Sequence, residues 1–219
     1  MRDRYSIAVG LIFFAVVVIA ILHRTGDGSG TLGLDSQPRH WPLPEFAVPL
    51  ATSSLEGDAN VAQDDCETSQ LPCPPDARRT PACRVHVRGA FPVCDLFDRP
   101  SVISFLTTGS DCIVQQDVVN QVFERYRGRV AFLSVDLGDD RESVRELIRQ
   151  RRWRMPVGLD RDGAVGALYR VGVCPTLAYA YPGGTLQSAS VGELTEAQLS
   201  DRIEMLLRAT RAAEAEGRS

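Results

Sequence analysis

One cysteine, Cys112, follows a short apolar run and begins a helical pattern. The run, residues 101–105, is rich in β-prone residues, and a turn rich in Thr, Gly and Ser connects it to Asp111. From Cys112 onward, apolar residues recur at helical spacing. They are Val114, Val118, Val119, Val122, Phe123 and Tyr126. The sequence therefore predicts a cysteine in the first turn of a helix, where unpaired N–H groups and the helix dipole stabilise a thiolate.

Composition limits the classes of partner and chemistry. The chain has 219 residues and a net charge of −4, which fits one globular domain with appendages and predicts no nucleic-acid partner. All 24 basic residues are arginines, so Schiff-base chemistry and a phosphate-binding lysine are excluded. The histidines, His23, His40 and His86, are scattered, and no dinucleotide motif is present. We therefore predict neither a metal site nor a cofactor.

The N-terminal segment predicts a membrane anchor. Residues 6–22 contain no charge, and this run with its flanks is long enough to cross a hydrocarbon core of roughly 30 Å. Arg2 and Arg4 precede the run, which favours a cytoplasmic N-terminus at residues 1–5 and export of the rest. No Ala-x-Ala-like cleavage site closes the run. We therefore expect an uncleaved, single-pass anchor in the cytoplasmic membrane, a linker at residues 23–41 and an extracytoplasmic domain beyond it.

Residues 64–95 form a cysteine-rich insert. They hold Cys66, Cys73, Cys83 and Cys94 but few core-forming residues, so the segment is expected to need disulfides, which an oxidising compartment permits. The spacings do not match the Cys-x-x-Cys pairs of a zinc ribbon. Two local structural disulfides, Cys66 to Cys73 and Cys83 to Cys94, are one of the three pairings that four cysteines allow, and sequence alone does not select among them.

The remaining patterns predict alternating strands and helices. Strands are predicted at residues 130–137 and 156–159, and in a hairpin of residues 176–181 and 185–191. Helices are predicted after a capping pair Asp139 and Glu142, at residues 164–169, and after a capping pair Thr195 and Gln198. This order fits an α/β fold at residues 42–209, with a mixed central sheet flanked by helices on both faces. Residues 210–219 are expected to be a frayed tail.

Two further segments match the pattern of a known superfamily. Residues 44–49, Pro-Glu-Phe-Ala-Val-Pro, look like the strand that opens redoxin domains, and residues 169–176, Tyr-Arg-Val-Gly-Val-Cys-Pro-Thr, look like a cis-proline loop. From Ser101 to Leu207 the chain thus resembles the thioredoxin-like redoxins, which include thioredoxins, membrane-anchored extracytoplasmic thiol reductases and peroxiredoxins. The resemblance implies a cis bond before Pro175 and substrate contacts from Pro175, Thr176 and Thr108.

The active-site loop departs from the superfamily pattern. Thioredoxins place Cys-x-x-Cys after the strand, whereas residues 107–112, Thr-Thr-Gly-Ser-Asp-Cys, offer one cysteine. Counting back from residues 124–128, which resemble the end of the family's first helix, places Cys112 at the second cysteine. Cys174 precedes the proline that faces this helix, so the resemblance implies that the two cysteines lie close in space. A disulfide needs Cα atoms about 4.4–6.8 Å apart, and we infer a displaced redox pair.

Three functions follow as hypotheses. The first is a membrane-anchored thiol-disulfide oxidoreductase in which Cys112 and Cys174 exchange with protein thiols or disulfides, although the Asp111 carboxylate should raise the pKa of the neighbouring thiol. The second is peroxiredoxin-like reduction of a small peroxide at Cys112, although Phe105 and Gly109 stand at the proline and hydroxyl positions of that family's motif. The third is a non-catalytic binding or structural module in which the Cys112–Cys174 bridge is a permanent staple.

Overall fold

A five-stranded mixed sheet forms the centre of the protein in a computed structural model that describes residues 33–55 and 81–216. In chain order the strands are β1 (Ala47–Pro49), β2 (Ala90–Pro92), β3 (Ser101–Leu106), β4 (Ala131–Leu137), β5 (Val157–Asp160), β6 (Thr176–Tyr181) and β7 (Thr185–Val191). The helices are α1 (Ser110–Tyr126), α2 (Arg141–Arg151), α3 (Ala164–Leu168) and α4 (Glu196–Glu216), with short 3-10 helices at Leu34–Ser36, Ala82–Arg84 and Val93–Leu96. The predicted α/β fold with a mixed central sheet is confirmed.

Strand β3 occupies the middle of the sheet. The strand order is β5-β4-β3-β6-β7, in which β3 and β5 are parallel to β4, whereas β6 runs antiparallel to β3. All six residues of β3 are buried, as expected for a strand covered on both faces. Because parallel neighbours need a crossover, the chain leaves β3 into helix α1 before it returns in β4. The end of β3 and the start of α1 are therefore fixed by the best-packed part of the fold.

Helices cover both faces of the sheet, as predicted. Alternate strand residues point to opposite faces, so Val102 packs towards α1 and α4, whereas Ile103 packs towards α3 and the residues around β1. A third apolar cluster joins α2 to the end of β3 through Val144 and Leu106, and it includes Cys112. The cysteine at the start of α1 therefore lies where the helix, the central strand and α2 meet.

A small second sheet covers the edge of β5. Strands β1 and β2 pair antiparallel, and Leu50 forms an isolated bridge with Gly158 of β5. The loop after β1 is held by two arginines of α2. The Arg141 guanidinium donates to the Leu50 carbonyl at 2.8 Å, and Arg145 Nε donates to the Ala51 carbonyl at 2.6 Å. The guanidinium groups of Arg141 and Arg145 are thus committed to this loop.

Three predicted boundaries are wrong within the described residues. The predicted linker ends before Leu34, because that side chain is 1% exposed and packs in the main core. The predicted insert ends earlier than residue 95, because its last residues form β2 and a 3-10 helix whose Val93 is fully buried. The predicted tail begins too early, because α4 continues to Glu216 and Thr210 is buried.

The buried face of α1 differs from the predicted one only near the N-terminus of the helix, because Val119, Val122 and Tyr126 are buried as predicted. Helical spacing predicts a buried Val114, yet this side chain is 55% exposed. Gln115 and Gln116 are buried in its place, at 1% and 0% exposure. The start of the helix explains the shift, because α1 begins at Ser110 and turns Cys112 towards the core.

The N-cap of helix α2 lies one residue later in the sequence than predicted. Asp140 is the N-cap, and its side chain accepts hydrogen bonds from the backbone N–H groups of Glu142 and Ser143. The prediction that Asp139 is the cap is therefore wrong. This shift leaves the Asp139 carboxylate available for a contact with the loop that precedes α1.

Two predictions lie outside the described residues. In the described parts of the chain, no helix is long and apolar enough to cross a membrane, and the predicted anchor at residues 6–22 is not among them. Cys66 and Cys73 also lie outside. The anchor and the Cys66–Cys73 pairing therefore remain predictions.

Replacing Gly158 should destabilise the contact between β1 and β5. A Cβ atom at this position would overlap the Val48 side chain, whose own Cβ would lie 3.1 Å away. Overpacking of a core typically costs about 1–3 kcal/mol, so we expect Gly158→Ala to lower the free energy of unfolding by that amount, as measured by urea denaturation. Gly128→Ala is the matched control, because no atom lies within 4 Å of its added methyl group. Equal losses in both variants would contradict the prediction.

Candidate active site

A disulfide joins Cys112 of α1 to Cys174 in the loop before β6. The two residues are 62 positions apart in sequence, and their Cα atoms lie 5.8 Å apart. Their proximity follows from the sheet, because β6 pairs with β3 in a register that places Thr176 opposite Phe105. The loop before β6 is thereby brought to the end of β3, from which α1 begins.

The start of α1 places the first sulfur. Gly109 is the N-cap, and its carbonyl accepts the Ile113 N–H at 3.1 Å. Cys112 is consequently the third residue of the helix, as the sequence predicts. Thr107 Oγ1 lies 3.6 Å from Cys112 Sγ and accepts the Gly109 N–H at 3.4 Å. The sulfur therefore lies in the first turn of α1, at the positive end of the helix dipole, and beside a hydroxyl, both of which favour a thiolate over a thiol.

The loop that carries Cys174 contains the predicted cis peptide bond. The Cys174–Pro175 bond is cis, which confirms the prediction from the resemblance. The Pro175 carbonyl accepts the Gly192 N–H at 2.9 Å, and Thr176 Oγ1 donates to the Val173 carbonyl at 2.7 Å. Both hydrogen bonds tie the loop to itself and to the end of β7. Pro175 and Thr176 are buried, so their predicted substrate contacts remain predictions.

The two cysteines differ in exposure. Cys112 is 7% exposed and belongs to the apolar cluster that joins α1, α2 and β3. Cys174 is half-buried, and its sulfur lies 3.6 Å from the Phe105 carbonyl oxygen. Val173, which directly precedes Cys174 in sequence, is 55% exposed. A partner molecule therefore reaches the Cys174 side of the disulfide more easily than the Cys112 side.

Asp139 holds the loop between β3 and α1. Its carboxylate accepts the Thr108 N–H at 2.6 Å and the Thr108 hydroxyl at 2.7 Å. The Asp139 N–H in turn donates to Asp136 Oδ1 at 3.2 Å. The N–H and hydroxyl groups of Thr108 are thus engaged within the protein. A substrate contact of Thr108, as predicted from the resemblance, stays a prediction.

Two buried carboxyl groups lie behind this loop. Burial raises the pKa of Asp136 to about 8, and the charge of Asp139 adds to the shift. Burial also raises the pKa of Asp160 to about 7, although hydrogen bonds from the backbone N–H groups of Gly166 and Val165 lower it. Asp136 Oδ2 has no hydrogen-bond partner within residues 33–55 and 81–216. A protonated Asp136 is therefore favoured at neutral pH.

A buried polar cluster lies one helical turn beyond Cys112. Gln116 Nε2 donates to Ser134 Oγ at 2.7 Å, and Gln116 Oε1 accepts the Ser104 hydroxyl at 3.2 Å. The Ser134 hydroxyl also contacts the Met155 sulfur at 3.0 Å. These contacts link α1 to β3 and β4 and satisfy polar groups that burial would otherwise destabilise. They fix the rotation of α1 and with it the direction of the Cys112 side chain.

Sequence patterns did not single out Asp139 or Gln116 as site residues. Gln116 follows Cys112 by four residues, the spacing that puts two side chains on one face of a helix, but a glutamine predicts exposure. Asp139 follows the end of β4 and was interpreted as a helix cap. In both cases the contact depends on a partner that is far away in sequence.

A second disulfide lies in the described part of the predicted cysteine-rich insert. Cys83 and Cys94 are bonded, with Cα atoms 5.5 Å apart, which agrees with one of the pairings considered from sequence. In the described residues, one group of possible metal ligands lies within coordination distance, namely Glu45 with these two cysteines. Their sulfurs are joined to each other, so they offer no thiolates to an ion.

Solved structures with a similar fold include thiol-disulfide exchange proteins. A thiol:disulfide interchange protein of the thioredoxin family from Chlorobium tepidum TLS has a TM-score of 0.56 and 14% identity, covering 78% of this chain and 99% of that one. A DsbF homologue from Corynebacterium diphtheriae has a TM-score of 0.56 and 13% identity, covering 82% and 96%. The chain has the thioredoxin-like fold.

The thioredoxin-like fold is visible in structure rather than in overall sequence. The thioredoxin domain of a thiol-disulfide oxidoreductase from Bacteroides vulgatus has a TM-score of 0.54 at only 10% identity, covering 77% of this chain and 97% of that one. No protein-family model matches the sequence, and a comparison with curated proteins gives no match. At such identities the likeness establishes the fold, and the chemistry has to be argued from the residues of this chain.

Asp136→Asn should flatten the dependence of stability on pH. The folded carboxyl keeps its proton up to a pH of about 8, whereas its ordinary pKa is 3.8. Between these values the folded state binds more protons than the unfolded state, so the free energy of unfolding falls as pH rises, by at most about 1.4 kcal/mol per pH unit. The amide has no such proton, so the variant should lose less stability than the wild type between about pH 5 and pH 8.

Urea denaturation at a series of pH values measures these slopes. Asp160 leaves a smaller slope in the variant, because burial raises its pKa as well. Asp201→Asn is the matched control, because Asp201 is an exposed aspartate of α4. Identical slopes in Asp136→Asn and the wild type would contradict the assignment.

Proposed function

We propose that this protein is a thiol-disulfide oxidoreductase whose redox centre is the Cys112–Cys174 pair. The observation that carries the proposal is the unequal exposure of the two cysteines, with Cys174 half-buried at the surface and Cys112 only 7% exposed. Disulfide exchange needs one sulfur that a partner can reach and one that is shielded until the mixed disulfide has formed. The thioredoxin-like fold, shared with thiol:disulfide interchange proteins, supports the same conclusion.

The exposures support different roles for the two sulfurs. In the reduced protein, the Cys174 thiolate attacks one sulfur of a substrate disulfide, and the first substrate thiolate leaves as a Cys174–substrate bond forms. The Cys112 thiolate then attacks the Cys174 sulfur, and the second substrate thiolate leaves. Two electrons pass to the substrate, and the protein retains the Cys112–Cys174 disulfide. The same steps in reverse oxidise a dithiol partner.

The environment of Cys112 suits a leaving group. When a partner thiolate attacks Cys174, the displaced charge appears on Cys112 Sγ. The N–H groups in the first turn of α1 and the Thr107 hydroxyl, 3.6 Å away, stabilise that charge. The exposed Asp111 carboxylate opposes this effect, but water screens a charge at the surface. On balance, these groups favour the departure of Cys112 as a thiolate when the disulfide is attacked at Cys174.

We place this activity outside the cytoplasm. The charge-free run at residues 6–22 and the preceding arginines Arg2 and Arg4 support a single-pass anchor with an exported domain. The Cys83–Cys94 disulfide supports an oxidising compartment. Protein thiols or disulfides in that compartment are the proposed partners.

Neither alternative function gains a specific observation. Peroxide reduction requires an accessible Cys112 thiolate, whereas Cys112 is buried and bonded to Cys174. A permanent staple needs no access to either sulfur, whereas Cys174 lies half-buried beside the exposed Val173. The staple and the redox centre differ in how easily the folded protein is reduced, which can be measured directly.

The reduction potential of the pair is the first test. We expect the Cys112–Cys174 disulfide of the full-length protein, purified in mild detergent, to have a potential well above about −300 mV. Mass-spectrometric thiol trapping across a series of dithiothreitol concentrations measures it. The Cys83–Cys94 disulfide serves as the internal control and should be reduced later. Resistance of Cys112–Cys174 until the protein unfolds would identify a staple and refute the proposal.

Single cysteine variants test the assigned roles. We expect Cys112→Ser to accumulate a mixed disulfide at Cys174, because the resolving thiolate is missing. Cys174→Ser should accumulate about tenfold less mixed disulfide. Non-reducing electrophoresis and mass spectrometry after incubation with an oxidised peptide measure both. A stable mixed disulfide at Cys112 in Cys174→Ser would reverse the assignment.

A further inference from the structure

A groove of about 620 Å³ lies beside the loop and the first helical turn that carry Cys112. It is lined by two apolar residues, Ile113 and Leu147, which we call its floor, by Thr108, which we call its wall, and by three acidic residues, Asp140, Glu142 and Glu146, which we call its rim. We call it the acidic groove. Its volume lies within the range of about 300–1,000 Å³ that is typical of ligand pockets, so it can take a large side chain.

The acidic groove lies close to the redox centre. Ile113 directly follows Cys112, and both Ile113 and Leu147 pack against the apolar cluster that contains Cys112. Thr108 is fixed in the wall by its two hydrogen bonds to Asp139. A polypeptide whose sulfur reacts at Cys174 can therefore place a neighbouring side chain in the groove without a rearrangement of these elements.

Charges on α2 are separated into two stripes. Glu142 and Glu146 are four residues apart and line the groove, whereas Arg141 and Arg145 are also four residues apart and donate to backbone carbonyls of the loop after β1. Arg149 pairs with Glu146, and Asp140 remains at the rim as the N-cap. The groove therefore presents an excess of negative charge to a partner. Arg141 and Arg145, on the other stripe, are bound to backbone carbonyl oxygens.

Asp140 is ionised at the rim. Hydrogen bonds from the Ser143 hydroxyl and backbone N–H lower its pKa, so it carries its charge well below neutral pH. The Asp140 carboxylate lies at the N-terminus of α2, where the helix dipole stabilises its negative charge. A cation in the groove thus meets a carboxylate that is already fixed in position.

We propose that the acidic groove binds an arginine or lysine side chain next to the reacting cysteine of a polypeptide partner. The proposal rests on the proposed function and names its substrate class. Long basic side chains fit a groove of this composition, because their aliphatic stem packs on Ile113 and Leu147 while the charged end reaches the carboxylates. Charge complementarity then orients the partner's sulfur towards Cys174 and raises the rate of encounter.

Matched peptides test this preference. Two peptides of equal length each carry one cysteine, flanked by arginine in one and by glutamate in the other, and each reduces the oxidised full-length protein under thiol trapping. Every rate is divided by the rate with dithiothreitol for the same variant. We expect the arginine-to-glutamate ratio to be about fivefold higher in the wild type than in Glu142→Gln/Glu146→Gln. This comparison removes the intrinsic difference between the two peptide thiols.

Two controls accompany the measurement. Glu142→Gln alone should lower the ratio by about half of the effect on a logarithmic scale, and it leaves the pair of Glu146 with Arg149 intact. Asp201→Asn, on α4, removes a surface charge outside the groove and should leave the ratio unchanged. About 0.5 M NaCl should bring the wild-type ratio close to that of the double variant, because salt screens exposed charges.

The outcomes separate the two proposals. Equal ratios in the wild type and the double variant, with normal reduction by dithiothreitol, would overturn the acidic groove alone. A preference that persists in the double variant would likewise overturn it. Failure of the peptides and dithiothreitol to reduce the folded protein would overturn the proposed function and the groove together.

Discussion

The antiparallel pairing of β6 with β3 is the interaction on which the candidate site depends. It places Thr176 opposite Phe105 and so brings the loop with Cys174 to the first turn of α1. The pairing thus brings together two cysteines that are 62 positions apart in sequence. The pairing is stabilised by the core on both faces of the sheet, because Ile103 and Ala178 are fully buried on one face and Val102 and Tyr179 on the other. Packing deep in the sheet therefore determines the geometry at its end.

The thioredoxin-like fold allows this displaced pair because it holds the end of the central strand and the cis-proline loop against each other. In a Cys-x-x-Cys pair, both sulfurs lie on one helical turn, and the loop only faces them. Here one sulfur belongs to the helix and the other to the loop. Under the proposed function, a partner is therefore recognised by the residues around Cys174, such as the exposed Val173.

Sequence patterns predicted the strands and helices that have long apolar runs, and the resemblance predicted the cis-proline loop. They failed where a residue's environment depends on distant partners. Gln116 is buried because Ser104 and Ser134 satisfy its amide, and no periodicity reveals such partners. Val114 is exposed for the same reason, because the rotation of α1 follows from Cys112 and Gln116 facing the core. Strand β2 is too short to be distinguished by pattern and exists through its pairing with β1.

The length of chain enclosed by the Cys112–Cys174 bond has a consequence for the protein as a whole. In the chain-entropy model, closing a loop of this size stabilises a fold by about 4 kcal/mol, a large part of the stability of an ordinary domain. A cross-link within one helical turn encloses only a few residues and contributes much less. Under the proposed function, each reduction of this pair releases a constraint on the unfolded chain and thereby lowers the free energy of unfolding. Reduction of this one bond should therefore also make the domain more susceptible to proteolysis.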